Sequence, residues 1–145
     1  MIITHETRKE FQACEDWRHR FAHRFPEGHV RLTKELLHEH CDASAASWLV
    51  AYAMSPLAES AEATTPGGHV VFRQRAPQAW DAYVARKTAA LDERYMHNPT
   101  EQNYLWGVIE GLWAGIEILD ELLGPDHTPA DIRTKLPLKQ QENTP

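Results

Sequence analysis

Apolar positions recur along this chain at the three-and-four spacing of amphipathic helices, and the clearest run lies between Asn98 and Gly124. At about 100° per residue, Tyr104, Leu105, Val108, Ile109, Leu112, Ile116, Leu119 and Leu123 form one broad aliphatic face. Asn98-Pro99-Thr100-Glu101 reads as a start, with Asn98 as N-cap, Pro99 at the first helical position and Glu101 able to reach back to the cap. Gly124-Pro125 reads as the stop.

Shorter runs surround it. Phe11, Cys14, Trp17, Phe21 and Phe25 share one face of a helix from about Glu6 to Phe25, which Pro26-Glu27-Gly28 ends. Thr33 caps a short helix through about His40, anchored by Leu36 and Leu37, and Ala45 to Met54 follows as another. Residues 55–68 are rich in breakers. His69-Val70-Val71-Phe72-Arg73 is the best strand, and it echoes Gly28-His29-Val30-Arg31-Leu32 closely enough to pair with it as a ribbon. Pro77 to about Met96 is a further helix with Trp80, Tyr83, Val84, Leu91 and Tyr95 inward, and the tight joint at His97-Asn98 makes it an antiparallel hairpin with the long helix. The expected fold is all-α or nearly so: four to five helices around a long C-terminal helix, with one short two-stranded ribbon. Residues 1–124 form a single helical domain in this reading, and residues 125–145 a polar, Pro-containing tail on which Ile132, Leu136 and Leu138 are candidates for docking.

The long helix has a second side. Opposite the aliphatic face stand Glu110, Glu117, Asp120 and Glu121, and among them two tryptophans, Trp106 and Trp113. Trp106, Glu110, Trp113 and Glu117 are four, three and four residues apart, so they lie along one helix edge. Tryptophan dominates contact energies at interfaces, which makes Trp106, Glu110, Trp113, Glu117, Asp120 and Glu121 the candidate partner-binding set. The competing explanation is that another part of the same chain covers these rings.

Gly107, Gly111 and Gly115 recur every four residues at one margin of the aliphatic face. Each costs about 1 kcal/mol relative to alanine inside a helix, so three in register imply that another backbone comes close. The expected neighbour is the helix of residues 77–96; self-association into a homo-oligomer is the second reading.

Composition narrows the classes. A chain of 145 residues with 42% apolar and 25% charged positions suits one globular domain. Residues 1–40 hold seven Lys/Arg, seven Asp/Glu and six of the nine histidines, so the whole net charge of −6 lies after residue 40. That balance argues against general affinity for nucleic acid or anionic membrane. No uncharged apolar stretch approaches the roughly 20 residues of a membrane span, and the first residues lack the apolar core of a signal peptide. Two cysteines make no disulfide framework. The expected location is the cytoplasm, or a virion.

Candidate chemistry is sparse. His19 and His23 are one helical turn apart, and His38, His40 and Cys41 stand close by in sequence, so a metal is the alternative reading of this N-terminal cluster. It is not the H-E-x-x-H of a zinc protease, because Arg20 stands where that motif has its Glu. Residues 33–51 have helix-turn-helix proportions, but Ala45, Ala46, Ser47, Trp48 and Leu49 offer no Arg, Lys, Asn or Gln to a base edge, so sequence-specific DNA binding is not expected. There is no G-x-S-x-G and no phosphate-cradling loop, since Gly67-Gly68 leads into His69. No catalytic residue and no cofactor is assigned.

Two segments resemble small uncharacterised helical proteins of phages and their hosts. One is Phe11-x-Ala13-Cys14 with Phe21, Phe25-Pro26, Gly28, Leu32-Thr33, Leu36 and Trp48-Leu49-Val50. The other is Leu91-Asp92-Glu93-Arg94 leading into Tyr104-Leu105-x-Gly107-Val108-Ile109-x-Gly111-Leu112. The resemblance covers about half the chain and implies origin and shape rather than an activity. The expectation is therefore a non-enzymatic interaction protein of a phage or mobile element. Its protein partner would be either virion proteins, with this chain an accessory or assembly component, or a host defence complex that it inhibits.

Overall fold

The computed structural model describes residues 1–5, 15–42 and 76–136. Among them are five α-helices and one two-stranded antiparallel sheet, a mostly α fold as the periodicity predicts. In chain order they are β1 (Ile2–Thr4), α1 (Glu15–Arg24), β2 (His29–Arg31), α2 (Lys34–His40), α3 (Pro77–Ala90), continued by a π-helical turn (Leu91–Tyr95), α4 (Glu101–Leu123) and α5 (Pro129–Lys135).

The packed centre is the α3–α4 hairpin. Ile109, Leu112, Ile116 and Leu119 of α4 are fully or almost fully buried, against Ala79 and Tyr83 of α3. The glycines explain how closely the two helices approach. A Cβ on Gly111 would lie 2.7 Å from the Tyr83 carbonyl oxygen and 2.8 Å from Lys87 Cβ, so only hydrogen fits. A Cβ on Gly107 would lie 2.5 Å from Leu91 Cδ2. The expected intramolecular neighbour of Gly107 and Gly111 is thus the observed one; Gly115 is buried on the same helix.

The helix ends follow local chemistry, with one correction. The N-cap of α4 is Thr100, not Asn98: Thr100 is extended and its hydroxyl accepts from the Asn103 N–H at 3.1 Å. Asn98 instead offers its carbonyl to the Asn103 side-chain amide at 2.8 Å, so the Asn98-Pro99 step is a lead-in rather than the first turn. Gly124 closes the helix with φ +92°, a conformation that favours glycine. Thr33 caps α2 through the Leu36 N–H, as the sequence implies.

The described residues contain one short ribbon. β2 pairs with β1, in the register Ile2 to Arg31, Ile3 to Val30 and Thr4 to His29. Residues 69–73, the expected partner strand, lie outside the described residues, as do the helical readings over 6–14 and 45–54. Beyond Gly124 the chain does more than trail. Thr128 and Asp131 form a reciprocal capping box that starts α5, and Ile132 is fully buried. The expected polar tail of residues 125–145 therefore begins with a docked helix; residues 137–145 lie outside the described residues. No helix among the described residues is long and apolar enough to cross a membrane.

Candidate functional site

Glu110 sits in the middle of α4 on the side away from the aliphatic stripe, where periodicity places it in solvent. Its side chain is only 3% exposed. Two elements bury it. From α2, Lys34 Nζ lies 3.0 Å from Oε1 and His38 Nε2 donates to Oε2 at 2.7 Å; the two are four residues apart and so project from one face of that helix. From α3, Arg86 Nη2 donates to Oε1 at 2.5 Å, and its Nη1 reaches Glu93 Oε1 at 3.2 Å. Burial alone would raise the Glu110 pKa, but the hydrogen bonds from Arg86, His38 and Lys34 outweigh it and hold the carboxyl at about 2. The same pair raises Arg86 above its ordinary value. Near neutral pH Glu110 is thus an ionised tie between α2, α3 and α4.

Trp106 lies one turn before Glu110, half-buried. The His38 ring stacks beside its indole, 6.3 Å between centroids and 25° between planes. The Arg94 guanidinium carbon is 3.8 Å from the ring centroid and the Arg86 carbon 6.0 Å, so cations sit against the indole face. This corrects the electrostatics expected here. The N-terminal half of the stripe is an aromatic ring with His38, Arg86 and Arg94 against it, and its one acid, Glu110, is paired with Lys34, His38 and Arg86.

The rest of the candidate set is dispersed in role. Trp113 is half-buried and packs against the core. Glu117 and Glu121 are exposed. Asp120 is not a free surface acid: its Oδ1 lies 2.6 Å from the Met1 ammonium and 3.2 Å from His127 Nδ1. Residues of this same chain therefore cover Glu110 and engage Asp120, while Trp106, Glu117 and Glu121 keep solvent contact.

The histidine and cysteine set does not converge. His38 is committed to Glu110, His19 and His23 are exposed on α1, and His40 Nε2 accepts from Arg24 Nη2 at 2.9 Å. Burial, with a smaller push from Asp42, raises the Cys41 thiol to about 12, so it is a protonated wall group rather than a thiolate ligand. Among the described residues no three His, Cys, Asp or Glu side chains form a group that could hold a metal ion.

Sequence reasoning missed Lys34, Arg86 and Arg94. A signal for Lys34 existed, since Lys34 and His38 stand one turn apart in a helix that would otherwise show the core only Leu37. Arg86 and Arg94 carried none, because a basic residue on a solvent-facing helix edge is ordinary. Comparison with protein-family models, with curated proteins and with solved structures finds nothing that matches this chain.

Proposed function

We propose that this chain works by contact, as a non-enzymatic interaction protein of a phage or other mobile element. Its partner is a virion protein or a host defence complex. The reading rests on Trp106. The indole contacts Arg94 and His38 yet retains solvent contact, and aromatic anchors of this kind carry much of the energy of protein interfaces. At the same end of the hairpin, Met96 is 67% and Tyr104 46% exposed, which adds apolar area that water solvates poorly. Glu117 and Glu121 supply an acidic margin further along α4. The cationic frame of Trp106 favours an acidic or carbonyl-rich patch on the partner at that end.

The test is affinity purification from the producing cells with wild-type chain, Trp106→Ala and Glu117→Gln, each checked for helicity by circular dichroism. A partner retained by wild type and lost with Trp106→Ala supports the reading. Equal capture by a folded Trp106→Ala chain removes the Trp106 surface as the contact. Co-purification with particles separates the virion version from the inhibitor version, which instead protects the phage only in hosts carrying the target system.

A further inference from the structure

Between α1, β2 and α2 lies an open cavity of about 500 Å³, within the range of small-ligand sites. Its depth is apolar: Ile3, Phe21, Leu32 and Leu37 are buried there, and Phe25 and Leu36 are half-buried. Its rim is basic. The ionisable lining groups are Arg20, Arg24, His19, His23 and His40, all exposed, with the protonated Cys41 thiol below them; no carboxylate lines it among the described residues. Two acids lie just outside, Asp42 at 3.6 Å from Arg20 and Glu39 at 3.7 Å from His40. Arg24 meets an imidazole nitrogen rather than a carboxylate, and because a guanidinium only donates, that nitrogen accepts and the full positive charge of Arg24 stays at the mouth.

The arrangement is selective. An apolar depth with a basic rim, on a chain of net charge −6, excludes cationic ligands at the rim and leaves the rim unused by neutral ones. We infer that this cavity binds an anionic amphiphile, an alkyl carboxylate whose tail lies between Phe21, Phe25, Leu36 and Leu37 and whose head group meets Arg24 and Arg20. The inference is independent of the Trp106 contact, which lies on α4.

The probe is dodecanoate, titrated below its micelle concentration into the full chain and followed by amide chemical shifts. Dodecanol and dodecyltrimethylammonium serve as neutral and cationic comparisons. Saturable one-to-one binding is expected, with shifts centred on α1, β2 and α2 and affinity at least about tenfold above either comparison, the size of one charge-assisted hydrogen bond. Arg24→Gln, at an exposed position, weakens dodecanoate by about tenfold and leaves dodecanol unchanged. Equal binding of the three probes, shifts centred elsewhere, or an unaltered dodecanoate affinity in Arg24→Gln overturns it.

Discussion

Glu110 and His38 are 72 positions apart in the chain, yet the carboxylate and the imidazole meet at 2.7 Å. That contact, with Lys34 and Arg86 on the other oxygen, ties α2 to the hairpin through charge, beside the apolar contact of the buried Leu37. Removing one member of a buried ionic group leaves the others uncompensated. Glu110→Gln leaves three basic groups facing an amide that cannot balance them. Because Lys34, His38 and Arg86 each reach solvent, the cost falls below that of a fully buried set, at about 2–3 kcal/mol. Urea unfolding followed by circular dichroism measures it. A midpoint within error of wild type would show that Lys34, His38 and Arg86 hold α2 without their acid.

The same carboxylate sets an acid limit. Its folded pKa of about 2 lies below the ordinary 4.5, so between those values the unfolded chain binds more protons than the folded one. The contribution is complete above about pH 4.5 and is lost as the pH falls towards 2, an amount of about 3 kcal/mol across the window. Stability measured from pH 6 to pH 2.5, roughly that window and its upper margin, falls more steeply for wild type than for Glu110→Gln. Parallel profiles would place the acid sensitivity elsewhere.

Gly111 and Gly107 face different obstacles, so alanine distinguishes them. At Gly111 the obstacle is the Tyr83 carbonyl oxygen and Lys87 Cβ, atoms that move only if α3 moves. Gly111→Ala forces the helices apart and costs about 1–3 kcal/mol, more than the helix propensity it gains. At Gly107 the nearest atoms belong to the end of the Leu91 side chain, which can change rotamer. Gly107→Ala is therefore the milder change, and thermal melts of the two variants should rank Gly111→Ala lower. The reverse order would mean that the hairpin yields more readily than Leu91.

What could be read without coordinates was what is local. The aliphatic stripe of α4, its stop at Gly124, the Thr33 cap and the hairpin joint each depend on residues within a turn or two of one another. The burial of Glu110 did not. Its helical angle points to solvent, and the elements that cover it enter from residues 34–38 and 86, a pairing that no single stretch encodes. β1 was hidden for a similar reason: three residues, Ile2 to Thr4, carry too little pattern to announce a strand, and their partners in β2 are distant in sequence. The α5 helix was different, since Thr128-Pro129-Ala130-Asp131 is a complete capping box and was legible. The polar composition around it outweighed that signal. Trp106 fell between these cases, because its place on the helix edge was readable and the cations framing it were not.

His127 gives the last prediction, and it concerns a milder pH. The residue is buried, its Nδ1 donates to the Gly124 carbonyl at 2.8 Å, and its Nε2 has no hydrogen-bond partner among the described residues. Protonation would place a new N–H where no acceptor stands. Burial lowers its pKa most; the Gly124 carbonyl opposes, the Met1 ammonium lowers it further, and Asp120 and Asp131 pull it up without restoring the ordinary 6.5. With the folded value below the unfolded one, this histidine's contribution is complete above about pH 6.5 and starts to fall away below it, an onset at milder pH than that of Glu110. His127→Asn keeps a donor for Gly124 but does not titrate, so its unfolding midpoint should change little between pH 7.5 and 5.5, roughly either side of that value, while wild type declines. Asp120→Asn behaves differently. It leaves the Met1 ammonium facing a neutral amide at a site where it now has a carboxylate at 2.6 Å, so stability drops by about 1.5–3 kcal/mol at both pH values and the decline remains. If His127→Asn declined in step with wild type, the titrating group would be another one, and the junction of β1, Gly124 and α5 would not be the part of the fold that senses mild acid.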